Sequence, residues 1–385
     1  MKTILRIVAA MLLISGLSLA GQASAQPSPP TWLSISPGIY HTCAISTDHA
    51  LYCWGFNIYG QLGDGTTNDQ HVPTRIGTSK DWSSVDVGDY HTCALQQSGS
   101  IFCWGLNANR QLGIGEQSPN QVTTPTMVGH STHWTSVTTG SYHTCARHSS
   151  GSIYCWGLNS YGQLGNGYPK GVGTPRKVGS STSWLSVSSN VSSNHTCAVH
   201  MSGALYCWGA NLWGQLGDGT TVDRYAPRKV GSSMGWTSVR LGDLSTCARH
   251  RTGGLYCWGN GAYGQLGTGR TSDHHRPARV GTSTSWSGVT AGGKHACARR
   301  TSGTTYCWGA NFYGELGLGT TTGESTPRRV GTSSGWSYVN GGSLSTCGID
   351  SSGRGYCWGF NGYGQLGDGT TTDRSTPARI NAVGT

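Results

Sequence analysis

The sequence predicts an all-β chain that folds as a seven-bladed β-propeller, built from seven repeats of 50–52 residues. The motif Cys-Trp-Gly recurs along the chain, beginning at residues 53, 103, 155, 207, 257, 307 and 357. A second tryptophan opens each repeat: Trp32, Trp82, Trp134, Trp184, Trp236, Trp286 and Trp336. Repeats of this period form propellers or solenoids, and the amphipathic runs that a helical solenoid needs are absent.

Each repeat contains four short β-rich runs, which is the strand number of a propeller blade. In the third repeat these runs are WTSVTT, HTCARH, SIYCWG and TPRKVG. The approximate repeat units are 31–80, 81–132, 133–182, 183–234, 235–284, 285–334 and 335–385. The strand order and the closure of the ring stay open. Since the chain ends on TPARI without a further tryptophan unit, one arrangement has the Trp32 strand completing the last blade.

The first 25 residues have the pattern of a secretory signal peptide. Lys2 and Arg6 precede an apolar run, and Ala-Ser-Ala at 23–25 provides a cleavage site. We therefore expect a signal peptide at 1–25, a short segment at 26–30 and the propeller at 31–385. No later apolar stretch is long enough to span a membrane. The expected location is secreted, periplasmic or on the cell surface.

All 14 cysteines form pairs of identical spacing, C-x9-C. If Cys93 faces Cys103 in a hairpin, Gln97, Ser98 and Gly99 form its turn, and a three-residue turn favours glycine at the last position. This register predicts seven cross-strand disulfides, although links between neighbouring blades stay open: Cys43–Cys53, Cys93–Cys103, Cys145–Cys155, Cys197–Cys207, Cys247–Cys257, Cys297–Cys307 and Cys347–Cys357. The spacing lacks the close pairs of structural zinc sites.

Composition and motifs argue against an enzyme. The formal charge of +10 is a mild basic bias that permits contact with an anionic surface without requiring it. Asp and Glu total 16, and the sequence contains no nucleophile elbow, phosphate-binding loop or zinc-protease helix. We predict no catalytic residues, no cofactor and no metal site. A nucleic-acid partner is disfavoured, and an acidic glycan stays open.

The run HTCA…LYCWGxNxYGQLGDGTT resembles the repeat of the regulator of chromosome condensation family over residues 31 to about 383. The resemblance implies a seven-bladed propeller, with family activities that include nucleotide exchange on a nuclear small GTPase, ultraviolet-B sensing and β-lactamase inhibition. The plant photoreceptor has tryptophan after the glycine of its Gly-x-x-His-Thr motif. Here the corresponding residues argue against light sensing: Ile39, Asp89, Ser141, Asp243, Gly293 and Ser343.

Three repeated features have structural and functional interpretations. The GDGTTxD loops at 64–69, 218–223 and 368–373 fit turn formation, with calcium binding as the alternative.

Histidine recurs in five blades, where we expect a structural hydrogen-bonding role: His41, His91, His143, His195 and His295. Basic residues follow the proline of the fourth strand, as either edge protection or a belt for an anionic polymer: Arg75, Lys177, Lys229, Arg279, Arg329 and Arg379.

The residue directly before the histidine position differs most between blades. It is Tyr40, Tyr90 and Tyr142 in three consecutive blades, and tyrosine is a frequent interface anchor. The other four blades carry Asn194, Leu244, Lys294 and Leu344 there. The second repeat replaces Tyr-Gly with Asn109-Arg110 and has a longer loop after it, and the fourth repeat is lengthened by two residues before its histidine.

These positions form the predicted binding face of an exported, non-catalytic propeller that holds a protein partner. One alternative is an effector that resembles the family's exchange factors and acts on a small GTPase. The other is a glycan-binding protein that uses the repeated aromatic position at Tyr59, Tyr161, Trp213, Tyr263, Tyr313 and Tyr363.

Overall fold

The computed structural model describes residues 30–332 and 335–381, so the predicted signal peptide lies outside the described residues. Seven four-stranded antiparallel sheets form the blades of a propeller, as predicted. The strands are β1 Trp32–Pro37, β2 His41–Ser46, β3 Leu51–Gly55 and β4 Gln70–Arg75; β5 Trp82–Val87, β6 His91–Gln96, β7 Ile101–Leu106 and β8 Gln121–Met127; β9 Trp134–Thr139, β10 His143–His148, β11 Ile153–Gly157 and β12 Val172–Lys177; β13 Trp184–Ser188, β14 His195–His200, β15 Leu205–Gly209 and β16 Arg224–Lys229; β17 Trp236–Leu241, β18 Ser245–His250, β19 Leu255–Gly259 and β20 His274–Arg279; β21 Trp286–Ala291, β22 His295–Arg300, β23 Thr305–Gly309 and β24 Glu324–Arg329; β25 Trp336–Gly341, β26 Ser345–Asp350, β27 Gly355–Gly359 and β28 Arg374–Arg379.

The first strand of each blade lines the central axis, where it contacts the first strands of neighbouring blades, and the fourth strand forms the rim. Because the strands alternate in direction, the turn between strands one and two and the loop between strands three and four lie on one face. We call this the upper face. The hairpins between strands two and three lie on the opposite, lower face. In the described part of the chain no helix has the length and hydropathy needed to cross a membrane.

The ring closes without exchange of a strand. β1 pairs with β2 and β28 pairs with β27, so each blade comes from four consecutive strands. The arrangement in which the Trp32 strand completes the last blade is therefore wrong. Instead the Trp32 amide donates a hydrogen bond to the Gly353 carbonyl (2.8 Å), and Trp32, Ile35 and Trp54 pack with blade 7 in one buried cluster.

The central hairpins have the predicted register. Cys93 faces Cys103 and Ala94 faces Phe102, and Gly99 adopts a positive φ of 82° at the end of the turn. His49 holds the same position in the first blade at a φ of 62°. Each of the seven cysteine pairs forms a disulfide within its own hairpin, with Cα atoms 4.1 Å apart, so no disulfide joins neighbouring blades.

The two tryptophans of a repeat form the core between blades. Trp54 is fully buried, and Trp32 packs edge-on against Tyr52 and at a tilt against Trp54. The indole of each Cys-Trp-Gly motif also covers a glycine of the preceding blade. A Cβ atom on Gly63 would lie 2.5 Å from Trp104 Nε1, so only glycine fits there. This contact explains the glycine that follows Gln-Leu in the repeat.

A main-chain carbonyl joins each pair of blades. Trp104 Nε1 and Thr92 Oγ1 of blade 2 donate to the Gln61 carbonyl of blade 1, at 3.0 and 2.7 Å. Trp54 and Thr42 donate in the same way to the Gln365 carbonyl of blade 7, so the same contact closes the ring. We call this carbonyl with its indole and hydroxyl donors the latch. These indole and hydroxyl groups are buried, and a buried donor without an acceptor costs about 1–3 kcal/mol.

The repeated histidines complete this seam. His41 Nε2 lies 2.9 Å from Thr92 Oγ1, and because that hydroxyl already donates to Gln61, it accepts the histidine proton. The ring therefore carries a proton on Nε2, which fits the predicted structural role. The same contact is made by His91, His143, His195 and His295. Where Ser245 replaces histidine in blade 5, Ala296 replaces threonine in blade 6.

Burial makes these histidines sensitive to acid. It lowers the pKa of His41, His91, His143 and His195 from 6.5 to about 3, and that of His295 to about 4. Between these values and 6.5 the unfolded chain binds more protons than the folded chain. The histidine contribution to stability is thus complete above pH 6.5 and falls as the pH drops through it.

We predict that His295→Ser reduces the acid sensitivity of folding. Serine occupies this position naturally at residues 245 and 345, so the variant should fold. Between pH 7.5 and pH 5 the wild-type free energy of unfolding should fall by about 2 kcal/mol more than that of the variant. Urea titrations at both pH values measure the difference. Equal acid losses in the two proteins would contradict a neutral, buried His295.

Candidate binding face and its central mouth

The three tyrosines predicted as anchors lie together on the upper face. Tyr40 stacks on Tyr90 with ring centroids 5.8 Å apart, and Tyr90 lies 6.4 Å from Tyr142. All three rings are half-buried. Burial and the neighbouring phenols raise the pKa of Tyr90, and burial raises that of Tyr142, so both hydroxyls keep their protons. Three consecutive blades thus present one continuous aromatic surface.

This surface extends across the seam between blades 7 and 1. Tyr40 contacts Phe56 and Tyr363, with centroids 5.9 and 5.3 Å away, and Tyr59 contacts Tyr90 at 5.3 Å. Phe360 then links the group to blade 6. We call the whole set the aromatic arc: Tyr142, Tyr90, Tyr59, Tyr40, Phe56, Tyr363, Phe360 and Tyr313. Its rings come from five adjacent blades.

Sequence reasoning named Tyr59, Tyr313 and Tyr363 only for the glycan-binding alternative and missed Phe56 and Phe360. Phe56 and Phe360 occupy the same repeat position, directly after Trp-Gly, and the other blades have Leu, Ala or Asn there. This departure is visible in the sequence. The two residues are about 300 positions apart, however, and join one aromatic group through Tyr363 only because blade 7 packs on blade 1. The two phenylalanines could be recognised as one group only once the order of the blades around the ring was known.

The other predicted face residues surround the mouth of the channel. Asn194, Leu244, Lys294 and Leu344 occupy the first turn of their blades and are half-buried. Lys294 Nζ lies 4.8 Å from the centre of the Tyr263 ring, and Tyr263 packs edge-on against Phe312. Blades 5 and 6 therefore carry a smaller aromatic group of their own.

Asn109 and Arg110 belong to a loop whose conformation and contacts differ from those of the same loop in the other blades. Arg110 has a φ of 63°, where six blades have glycine, and its Nη1 donates to the Ser118 carbonyl at 2.7 Å. In the next blade Gly173 stands where the other blades have a side chain, and its amide donates to Glu116. A Cβ atom on Gly173 would lie 2.9 Å from the Gly115 carbonyl oxygen. The loop after Trp104 is thus held against blade 3 by its own contacts.

The two-residue extension of blade 4 closes the upper mouth of the channel. Asn190 Nδ2 donates to the carbonyls of Leu241 and Ala291, each at 2.6 Å, in blades 5 and 6. On the other side, the Ser192 amide donates to Asp89 of blade 2 at 2.6 Å, and its hydroxyl donates to Ser343 of blade 7 at 3.2 Å. This segment, 189–194, therefore acts as a lid joined to most of the ring.

Two carboxyl groups lie at the lid. Asp89 is buried and accepts hydrogen bonds from Ser141 and Ser192. Burial raises the pKa of Asp89, and burial together with the charge of Asp89 raises the pKa of Asp243 to about 6, although Lys294 opposes the shift. The lid thus covers an acidic centre that the sequence did not single out as a site.

The GDGTTxD loops use their carboxylates within the loop. Asp64 accepts hydrogen bonds from the Thr66 amide and hydroxyl, and the Asn57 amide donates to Asp69 at 2.8 Å. Asp218 and Asp368 form ion pairs with Arg224 and Arg374, each at 2.7 Å. The contacts are those of the turn-forming interpretation. Within residues 30–332 and 335–381, no group of three His, Cys, Asp or Glu side chains is placed to hold a metal ion.

The basic residues of the fourth strands lie at the lower end of the rim. They are exposed, and Arg75 and Arg279 donate to the carbonyls of Thr78 and Thr282 in the following turns, both at 3.0 Å. The acidic loops lie on the upper face. The predicted belt and the aromatic arc therefore lie at opposite ends of the blades and do not meet.

This geometry defines a class of protein, a repeat propeller whose seams are nearly identical and whose upper face differs from blade to blade. In such scaffolds the rigid sheets hold variable loops for binding. The chain belongs to the family of proteins built from the regulator of chromosome condensation (RCC1) repeat. The repeat matches residues 48–95, 98–147, 150–199, 202–249, 252–299, 302–349 and 352–385.

Known proteins with this repeat are diverse. The chain is 31% identical over 198 residues to the ultraviolet-B receptor UVR8 of Arabidopsis thaliana, covering 51% of this chain and 45% of the receptor. It is 30% identical over 208 residues to the probable E3 ubiquitin-protein ligase HERC4 of Homo sapiens, covering 53% of this chain but 15% of the ligase. The matched segment is thus less than half the length of either relative.

Solved structures share the fold. Human WBSCR16 superposes with a TM-score of 0.78 at 22% identity, covering 86% of this chain and 94% of that one. Prp20p of Saccharomyces cerevisiae superposes with a TM-score of 0.76 at 21% identity, covering 91% and 87%. At these identities the likeness concerns the propeller alone.

We predict that Asn190→Ala loosens the lid. The variant removes two hydrogen bonds that cross the upper mouth, and the free energy of unfolding should fall by about 1–3 kcal/mol. Asn68→Ala, at an exposed loop position, is the matched control and should change stability by less than about 0.5 kcal/mol. Chemical denaturation measures both. A loss no larger than that of Asn68→Ala would contradict a lid held by Asn190.

Proposed function

We propose that this chain is an exported, non-catalytic propeller that binds a protein partner through the aromatic arc. The observation that carries the proposal is the continuity of the arc across five blades. Tyrosine and phenylalanine are large and amphipathic or apolar, and half-buried rings lose little side-chain entropy on binding. Packing within a single blade does not need such contacts between neighbouring upper turns.

Exposure outside the cell is supported by the seven disulfides, because such bonds persist in oxidising compartments. The signal-peptide pattern of residues 1–25 supports the same location. Export separates this chain from partners that work inside a nucleus. Of the roles of related propellers, only the binding of a protein partner is therefore assigned to this chain. Prp20p, for example, was studied for its binding to Gsp1p and histones.

The arc and its surroundings favour a partner with an apolar anchor flanked by basic side chains. The loop of blade 1 that carries Phe56 and Tyr59 also carries Asp64 and Asp69, and it has no Lys or Arg between residues 56 and 70. Aromatic faces attract cations, and the nearby carboxylates add to that attraction. A basic partner would thus meet favourable charge beside the loop of blade 1 and repulsion from the basic residues of the lower rim.

The test replaces Tyr40, Tyr90 and Tyr142 together with leucine. Leucine occupies the same turn at positions 244 and 344, so the variant should keep its fold. The mature disulfide-bonded protein serves as bait for the native exported fraction, and Tyr168→Leu, at a residue 70% exposed outside the arc, is the control. We expect a partner that is captured by the wild type and by the control but lost by the triple variant.

Titration with the purified partner then measures its affinity for the wild type and for the triple variant. The triple variant should weaken binding by about 2 kcal/mol or more, roughly 30-fold, as expected for interface anchors. Raising the salt concentration should slow association if basic side chains meet the acidic loops. Capture that is equally strong with the triple variant would remove the arc as the binding surface.

A further inference from the structure

The central channel contains an asymmetric group of polar side chains that the repeat does not require. At the third position of the innermost strands six blades have Ser or Gly, and the seventh has Tyr338. At the fifth position four blades have Ser or Thr, whereas the others have Asp86, Arg240 and Asn340. The four side chains that differ from the repeat, Asp86, Arg240, Tyr338 and Asn340, line one cavity of about 400 Å³ on the axis.

The cavity has one closed end. Asn190 of the lid lines it from above. Below, the lining reaches Thr135 and Leu185 near the lower ends of β9 and β13, and both residues are exposed. A ligand therefore enters from the lower face, opposite the aromatic arc.

Two of the departing side chains have unused hydrogen-bonding capacity. Arg240 donates from Nη1 to the Val239 carbonyl at 2.9 Å, and among the described residues neither its Nε nor its Nη2 has a partner. The Tyr338 hydroxyl likewise makes no hydrogen bond within the described chain. Burial raises the pKa of Tyr338 to about 12, so its hydroxyl remains a donor at neutral pH.

Asp86, in contrast, is already engaged. It accepts a hydrogen bond from the Ser36 hydroxyl at 3.1 Å and from the Thr139 amide at 2.8 Å. Arg147, which also lines the cavity, donates to the Trp184 carbonyl and to Thr135 Oγ1. Among the four departing side chains, the donors without a partner in the described residues therefore belong to Arg240 and Tyr338, while the Asp86 carboxyl disfavours a ligand of high negative charge.

A missing side chain enlarges the space beside Tyr338. Gly288 is the third residue of β21, and a Cβ atom built on it would meet nothing within 4 Å. It lines a cleft of about 160 Å³ together with Arg240, Tyr338 and Asn340. Since neither a positive φ nor a close contact requires glycine here, its effect is to leave room next to the two free donors.

We propose that the channel binds a small hydroxylated carboxylate, such as a sugar acid, with its carboxylate on Arg240 and Tyr338. A guanidinium group matches the two oxygens of a carboxylate, and one arginine suits a single negative charge. The Ser136 and Ser186 hydroxyls, which also line the cavity and have no partner in the described residues, supply hydrogen bonds for the hydroxyl groups of the ligand. The volume fits the lower range of small-molecule sites. The site is independent of partner binding at the upper face.

The experiment titrates the disulfide-bonded mature protein with D-glucuronate and with D-glucose by calorimetry. The two sugars share a ring and its hydroxyls and differ at the carboxylate. We expect saturable binding of glucuronate, and binding of glucose about tenfold weaker or less, because a charged hydrogen bond is lost. Inorganic phosphate is titrated in parallel.

Three variants locate the site. Arg240→Ser introduces the residue that blade 4 has as Ser188, and Tyr338→Phe keeps the packing while removing the hydroxyl; each should weaken glucuronate binding, the first by about tenfold. Arg251→Ser removes an exposed charge from the lower hairpin of the same blade and should leave binding unchanged. Equal affinity for glucose, tighter binding of phosphate, or unchanged affinity of Arg240→Ser would each overturn the proposal.

Discussion

The propeller depends on one repeated interaction, the acceptance of buried indole and hydroxyl donors from the next blade by a main-chain carbonyl. Five of the seven junctions in the described chain have both donors, whereas the Gln111 carbonyl accepts only from Thr144 and the Gln265 carbonyl only from Trp308. The Gln61 carbonyl accepts from Trp104 and Thr92, and the Gln365 carbonyl does the same for Trp54 and Thr42. Neither donor has an acceptor within its own blade at that depth, so a blade is complete only beside its neighbour. Strand pairing and disulfides, in contrast, stay inside each blade.

Because the seams hold the ring, the remaining surfaces are free to differ. The upper turns carry Tyr40, Tyr90 and Tyr142 in three blades and other residues in the rest. Even the lid fits this division, since residues 189–194 extend one turn and leave the His195–Thr246 contact intact. The innermost strands differ in the same way, where Asp86 and Arg240 replace serine or threonine. Variation between blades is thus marked on the upper turns and along the channel.

Most of the fold followed from the sequence because its determinants are local. The spacing of Cys93 and Cys103 and the glycine between them define a hairpin that is already complete within 11 residues. The aromatic arc was only half visible, because Phe56 contacts Tyr363, the neighbour of Phe360, only through ring closure. The channel residues were missed for a different reason. Tyr338 and Arg240 look ordinary on their strands until the same position is compared across all seven blades.

The similarity of the seams bears on the order of the blades. The junction between blades 7 and 1 has the same carbonyl, indole and hydroxyl contacts as the junction between blades 1 and 2, and no strand is shared across it. A circularly permuted chain that began with Trp82 and returned through the first repeat after the seventh would retain every latch. The linear start of the propeller is therefore arbitrary, and whole repeats are the units by which such a ring gains or exchanges binding surface.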